Sequence, residues 1–489
     1  MSSQEPVFEF PISFRTTGAG SLVRQLHEQL RAAILDRRLL PGAALPSTRR
    51  VAGAYGIARN TVIAAYELLV AEGYVRTRAG APAAVADLGA RARPLRRRSR
   101  PAGEPLNPYW VHATPALAAF AGFERRPGFV LGMPEYREFP LDIWRRVLTR
   151  ALNRRSGSEC FDYPGAHGRP QLREAIAQHV SFTRAVVCAA ADVIVTHGAQ
   201  QAFDILARAL VTPGRTKVAV ENPGYPPFRA AMAAAGAQLV PVAVDDEGLR
   251  VDRLPDDVRV VCVTPSHQFP TGVAMSMPRR TALLQFARTR GAVIIEDDYD
   301  GEFRYGTRPL DALQTLDRGA SVLYVGTFSK SLFPALRLGY IVAPAWARAV
   351  LISVKQCADT GVNGQLQDAL AHFILDGHLA RHVRRMRNLY AERRAVLLEC
   401  ITKELRPWLQ AVPSEAGIHL TARCPDRGAA AQLFAHTAQY APGAQPLRHF
   451  AQGADADPGI AFGFGCIEAA AIRERLRALA QVLARAGRA

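Results

Sequence analysis

The sequence predicts an α/β protein of two domains, a small helical N-terminal domain closed by a basic hairpin and a large domain wound around a mostly parallel sheet. Three observations predict it. The chain has 489 residues, more than one hydrophobic core normally supports. From Phe129 onward short apolar runs alternate with amphipathic segments, the pattern of parallel strands covered on both faces. Between them, from Asp87 to Pro101, periodicity vanishes and six arginines (91, 93, 96, 97, 98, 100) face the single acid Asp87, the composition of a flexible linker.

Composition narrows the classes of function. Apolar residues make up 49% and charged residues 21%, so the bulk is globular rather than disordered. A formal net charge of +18 favours a polyanionic partner such as nucleic acid. The seven cysteines (160, 188, 262, 357, 400, 424, 466) are scattered without a CxxC or Cys/His cluster, which argues against a disulfide framework or a metal site. No basic start precedes an apolar stretch and no run approaches 18 apolar residues, so a cytoplasmic protein without a membrane span is expected.

Leu22, Leu26, Leu30 and Ile34 fall at four-residue spacing behind Ser21, an amphipathic helix with its cap that Pro41-Gly42 ends. Pro46-Ser47-Thr48 opens a second, short helix with Val51, Ala52 and Tyr55 facing inward, and Gly56 suits the left-handed residue that closes it. A third helix begins at Arg59-Asn60-Thr61 and carries Ile63, Tyr66, Leu69 and Val70 to a stop at Gly73. Tyr74 to Thr77 and Ala83 to Val85 read as strands joined through Arg78-Ala-Gly80. This is a winged helix-turn-helix pattern, whose third helix would enter a major groove with Arg59, Asn60 and Thr61 at its N-terminal end. Ser47, Thr48, Arg49 and Arg50 would meet the phosphate backbone, with Arg76 and Arg78 on the wing.

Leu39-Leu-Pro-Gly42, Leu45-Pro-Ser-Thr-Arg49, Ala58-Arg-Asn-Thr-Val62, Ala65-Tyr-Glu-Leu68 and Glu72-Gly-Tyr74 resemble the GntR family of bacterial regulators. The resemblance implies a DNA-binding domain over residues 18–86, followed by the basic linker, 87–124. The wing departs from the family: Gly80-Ala-Pro-Ala83 stands where a Gly-Ser-Gly turn is common.

In the large domain, taken as 125–489, the strand candidates are 193–195, 217–220, 258–263, 292–295 and 322–325. Glu296-Asp-Asp-Tyr299 follows one of them, at the carboxyl end where open α/β sheets place ligands. Lys330, one of four lysines among 61 Lys plus Arg, follows another. Among small and apolar neighbours its amine is partly desolvated, which favours the neutral form that condenses with an aldehyde. Pyridoxal 5′-phosphate (PLP) is the cofactor that uses such an amine, and a carboxylate such as Asp297 can hold its ring nitrogen protonated. Gly198, Ala199 and Gln200 lie between a strand and a helix and can cradle a phosphate. Thr327 and Arg337 can add a hydroxyl and a guanidinium, and Tyr225 can cover the ring.

These motifs resemble fold-type I PLP enzymes of the aminotransferase class I/II family. The resemblance implies that Lys330 is the Schiff-base lysine, Asp297 the partner of the ring nitrogen, Tyr299 the partner of the phenolic oxygen and Arg337 a phosphate ligand. It further implies that Tyr163, in Tyr163-Pro-Gly-Ala-His-Gly168, is lent to a neighbouring subunit's phosphate, hence a homodimer, and that His267, in Thr264-Pro-Ser-His-Gln-Phe-Pro-Thr-Gly272, borders the ring. Both ends together, with Glu296-Asp-Asp-Tyr-Asp300 and Arg381-His-Val-Arg-Arg-Met-Arg387, are similar to the MocR subfamily of GntR regulators. That resemblance implies a dimeric regulator of an operator with repeated half-sites, which senses PLP or an amino compound through an internal or external aldimine. The alternative is a working aminotransferase with an appended DNA-binding domain. Aminotransferases usually carry a carboxylate-binding arginine in a late strand. In Ile460-Ala-Phe-Gly-Phe464 the aligned residue is Ala461, with Arg448 a substitute anchor, so turnover is expected to be weak or absent.

Overall fold

A computed structural model describes residues 7–14, 21–78, 81–88, 109–110, 128–153, 162–306, 311–453 and 458–486. The chain divides into two compact units, Met1–Pro105 and Leu106–Ala489. The six linker arginines and the wing turn Ala79-Gly80 lie outside the described residues.

In the small unit, helix α1 (Leu22–Leu35) is capped by Ser21, whose hydroxyl accepts from the Arg24 N–H at 3.4 Å. Helix α2 (Thr48–Tyr55) is capped by Ser47, which accepts from the Arg50 N–H at 3.3 Å, and closes on Gly56 at φ +62°. Helix α3 (Arg59–Ala71) buries Val62, Ala65, Tyr66 and Leu69. Leu26, Leu30, Val62 and Leu69 are wholly enclosed, each contributing ~1.5–3 kcal/mol by the apolar surface it removes from water. The Tyr66 hydroxyl donates to the Pro46 carbonyl at 2.9 Å, which ties α3 to the entry of α2.

Two expectations change. Helix α1 spans the anticipated residues 22–35, but Arg37, at φ +58°, rather than Pro41-Gly42 turns the chain; Gly42 instead donates its N–H to Val85 at 2.9 Å, and Ala44 bridges Ala84. The hairpin strands shrink to β1 (Val75–Arg76) and β2 (Ala84–Val85), paired antiparallel. In addition, Phe8 and Phe10, from the alternating run Phe8-Glu-Phe-Pro-Ile-Ser-Phe14, enter this core.

The large unit contains β3 (Val193–Thr196), β4 (Lys217–Asn222), β5 (Gln238–Asp245), β6 (Gly248–Leu249), β7 (Val258–Val263), β8 (Val293–Asp298), β9 (Val322–Thr327) and β10 (Gly339–Val342). They form one sheet in the order β3-β10-β9-β8-β7-β4-β5-β6. The pairs from β9 to β5 are parallel, whereas β10 runs antiparallel to both β9 and β3. Its reversal follows from the connection after β9, a short loop with one 3-10 turn, Pro334–Leu336, too brief for the crossover a parallel neighbour needs. Val218, Val220, Ile295 and Val325 face helix α4 (Gly198–Leu210) and its neighbours; Val193, Val195, Tyr324 and Tyr340 face the opposite core.

The acids expected after the strand over 292–295 lie inside β8. Glu296, Asp297 and Asp298 continue its pairing with Tyr324, Val325 and Gly326 of β9, so the ladder delivers them to the rim rather than a loop. A second, antiparallel sheet joins β11 (Gln410–Ala411), β12 (His419–Arg423), β13 (Gln445–Pro446) and β14 (Gly459–Gly463) in the order β11-β12-β14-β13. Helix α5 (Arg427–Tyr440) lies between β12 and β13 in sequence.

Candidate functional site

A cavity of about 860 Å³ opens at the carboxyl ends of β8 and β9, a size suited to a small organic ligand. Lys330, Asp297, Tyr299, Tyr225, Thr327 and Arg337 all line it, as do Ala199 and Gln200. Lys330 stands beyond the end of β9, and its Nζ donates to the Gly132 carbonyl at 2.7 Å. Gly132 has φ +68°, a conformation that favours glycine, and a Cβ there would lie 2.8 Å from Nζ and push the end of the lysine aside. Burial holds the amine below the usual lysine range, partly offset by Asp300 and Asp297.

Asp297 is 9% exposed, and its Oδ1 has no hydrogen-bond partner among the described residues. Burial, reinforced by Asp298 and Asp300, pushes its carboxyl well above the usual carboxylate range, against the pull of Lys330. A buried acceptor left unpaired is costly. A cationic N–H donor in the cavity would satisfy it.

Tyr299 is held from behind. Its hydroxyl lies 2.9 Å from the His267 carbonyl and 3.0 Å from His267 Nδ1, which in turn is 3.0 Å from Asp300. A carboxylate only accepts, so Nδ1–H donates to Asp300 and the Tyr299 hydroxyl donates to the carbonyl. His267 itself is 2% exposed and does not line the cavity: the loop after β7 turns its side chain toward Asp300, behind Tyr299 and away from the expected ring border.

The expected phosphate cradle sits at the N-terminus of α4. Gly198, with φ +73°, lies under Arg337: a Cβ there would meet Nη1 at 3.3 Å. Arg337, itself at φ +52°, donates to the His197 carbonyl at 2.9 Å. The Thr327 hydroxyl accepts from the Ser329 N–H at 3.2 Å. Gln201 braces the helix start, accepting from the His197 N–H at 2.8 Å and donating to Asp359 at 2.7 Å. Tyr225 packs edge-on against Phe269, ring centroids 5.4 Å apart. Tyr163 is not brought to this cavity: it is 79% exposed.

Residues that the motifs did not single out complete the site. The backbone of Gly132 and His419, whose ring lies 4.4 Å from that of His267, come from distant segments without a local signature, while Asp300 behind His267 closes the Glu296–Asp300 motif without having been assigned a role. In the small unit Ser47, Arg49, Arg50, Arg59, Asn60, Arg76 and Arg78 are exposed, while Thr48 and Thr61 are half-buried. Arg59 Nε donates to Thr48 Oγ1 at 3.3 Å, linking the starts of α2 and α3.

Residues 22–85 match the family of bacterial regulatory proteins, gntR family, and residues 128–441 match aminotransferase class I and II. The chain is 40% identical over 401 residues to the probable rhizopine catabolism regulatory protein MocR of Rhizobium meliloti, covering 82% of this chain and 81% of that protein. It is 36% identical over 400 residues to the HTH-type transcriptional regulator TauR of Rhodobacter capsulatus, covering 78% and 80%. The Pyrococcus horikoshii kynurenine aminotransferase structure superposes with TM-score 0.69 at 25% identity, over 76% of this chain and 94% of that one. A helix-turn-helix unit joined to an aminotransferase fold, with relatives of the same build, identifies the chain as a MocR-type transcriptional regulator of the GntR family.

Proposed function

We propose that the large unit binds PLP covalently through Lys330, and that the protein regulates transcription by sensing this cofactor or an amino compound exchanged onto it. The observation that carries the reading is the convergence of Lys330 and Asp297 on one cavity, with Asp297 Oδ1 buried and unpartnered among the described residues. Bound there, the cofactor would supply an electrophilic aldehyde carbon and an electron-drawing ring. Asp297 would accept from the ring N–H, and the depressed pKa of Lys330 makes its amine available as a nucleophile. Tyr299, positioned by His267 and Asp300, would turn its hydroxyl hydrogen from the His267 carbonyl to the phenolic oxygen. The first N–H groups of α4, with Gly198, Ala199 and Gln200, would bind the phosphate together with Thr327 and Arg337. Tyr225 would cover the ring. The exposure of Tyr163 suits a side chain lent to a second protomer, which supports a homodimer.

Residues 18–86 are assigned to DNA binding, 87–124 to a basic flexible joint and 125–489 to the effector domain. Arg59, Asn60 and Thr61 would read a half-site from the start of α3, Ser47 to Arg50 would grip phosphates, and Arg76 and Arg78 would extend along the wing. Response to an effector requires different affinities for two arrangements of the dimer on its repeated half-sites. Promoter DNA sets the compartment as the cytoplasm. No helix among the described residues is long and apolar enough to cross a membrane.

Incubation with PLP should produce a visible absorbance band that Lys330→Ala removes, and PLP should change the footprint on DNA beside the protein's own gene. A band indifferent to Lys330→Ala would sink the cofactor reading. Sustained turnover of amino and keto acids would favour a working aminotransferase instead; Ala461, which brings no cation to β14, supports the sensor.

A further inference from the structure

An ion pair stands beneath the expected phosphate cradle. Lys355 is wholly enclosed, a state that lysine tolerates only when paired, and it lies one turn before Asp359 in the helix Ala345–Asp359. Its Nζ donates to both Asp359 oxygens, at 2.7 and 2.8 Å. Three further groups converge on the same carboxylate: Gln201 Nε2 at 2.7 Å, the Gly361 N–H at 3.0 Å and His197 Nε2 at 3.4 Å. Burial raises the Asp359 carboxyl, but the bonds from Lys355 and Gln201 outweigh it and hold the group below the usual carboxylate range. Asp359 is therefore ionised at pH 7 and only accepts.

Contacts leave this carboxylate on two sides. On one, Gln201 turns its Oε1 to the His197 N–H at 2.8 Å, and the carbonyl of His197, the residue before α4, accepts from Arg337 Nη2 at 2.9 Å. Asp359 thus sets the side-chain amide of Gln201, that amide sets the peptide ahead of Gly198, and the peptide sets the guanidinium. On the other side Gly361, at φ +142°, lies against the segment after Tyr163: a Cβ there would meet the Gly165 carbonyl oxygen at 2.7 Å and Pro164 Cγ at 2.9 Å. Lys355 and Gly361 fix the carboxylate from two directions.

We propose that Asp359 is a positioning residue for the phosphate end of the site: through Gln201 and His197 it aims the start of α4 and the Arg337 guanidinium, and so makes the protein select PLP over pyridoxal, which lacks the phosphate. This rests on the cofactor reading above. Arg337 lines the cavity and Asp359 does not, so Asp359 acts only through its partners. Apolar residues often replace a buried ion pair without loss of stability, but they direct no donors. A phosphate is held by charge-assisted bonds whose strength depends on direction, whereas pyridoxal makes none of them and is indifferent to how the cradle is aimed.

The test is a pair of spectral titrations, with PLP and with pyridoxal, on the unaltered protein and two variants. Asp359→Asn turns an acceptor into a donor among donors; Gln201→Met cuts the link to His197 and leaves the Lys355–Asp359 pair in place. In both, affinity for PLP should fall about ten- to a hundredfold, the range expected for a hydrogen bond to a charged group, while affinity for pyridoxal stays unchanged. The ring closure of free pyridoxal in solution is common to all three proteins and cancels. A general structural defect would instead lower both affinities by one factor. That result, a PLP-to-pyridoxal ratio unmoved in either variant, or equal affinities of the two compounds for the unaltered protein would overturn the role of Asp359. Where Asp359→Asn fails to fold, Gln201→Met decides. Absence of any cofactor band in the unaltered protein would overturn the cofactor reading instead.

Discussion

In the small unit Arg49, Arg50, Arg59, Asn60, Arg76 and Arg78 all stand exposed, on α2, α3, β1 and the turn after it, whereas in the large unit Tyr299, His267 and Asp300 are withdrawn from solvent and hydrogen-bonded in series. Exposed charges are hydrated, act through a screened field and release counterions when they meet phosphate, so their effects are individually modest and depend on salt. Buried groups in contact depend on one another, and their substitutions do not add. The DNA-binding face therefore tolerates change residue by residue, while the cavity stands or falls as a unit.

The comparison breaks first at Lys330. Lys330→Ala should abolish the PLP absorbance band, and in a gel-shift titration without PLP it should bind DNA as the unaltered cofactor-free protein does; a difference between the two would mean that the substitution itself, rather than loss of the cofactor, disturbs the DNA-binding unit. Next, Leu30→Ala, which empties a fully buried site in the small core, should cost that unit ~2–5 kcal/mol. Denaturation followed by circular dichroism would register it, with the cofactor band retained. Asp297→Asn should weaken PLP binding about ten- to a hundredfold, the value of a charge-assisted bond. If Tyr299→Phe and His267→Asn are combined, their losses in affinity should fall short of the sum, since both cut one chain.

Smaller still, Arg59→Ala should lose ~1–3 kcal/mol of operator affinity, read by gel shift at fixed salt, with the cofactor band intact. A separate effect is a dependence on pH. Burial raises Glu221 to about 7 despite bonds from Thr264 and Gln268. The folded state therefore binds a proton that the unfolded chain has released above its ordinary value near 4.5. Stability from this group is fullest below that value and declines as pH rises toward and through 7. Melting temperatures between pH 5 and 8 should fall less steeply in Glu221→Gln than in the unaltered protein.

Much of the small unit was legible because its signals are local. Ser21 and Ser47 cap the helices they precede, Gly56 closes α2 at positive φ, and Leu26 and Leu30 mark the buried stripe. The hairpin was overextended because strand length is decided by its partner, here shared with Ala44. In the large unit the apolar strands β3, β4, β7, β8 and β9 announced themselves, but β5 and β10 did not. Half-exposed β5 lacks a continuous apolar run, and β10 is a short stretch whose direction follows from a connection rather than from composition.

By itself the sequence determined two folding units, the helices that open the DNA-binding face, and the presence of Lys330, Asp297 and Arg337 at the ends of strands or the turns after them. Those features depend on periodicity, caps and short motifs, which act over a few residues. Only the tertiary structure decided that Gly132, 198 residues earlier, accepts from Lys330; that Asp297 Oδ1 has no partner among the described residues; that His267 works behind Tyr299; and that Arg448 stacks on Phe434 in the same cavity. Such pairings arise from the packing of segments far apart in the chain, and burial, which shifts the titration of Lys330 and Asp297, exists only once those segments have closed around them.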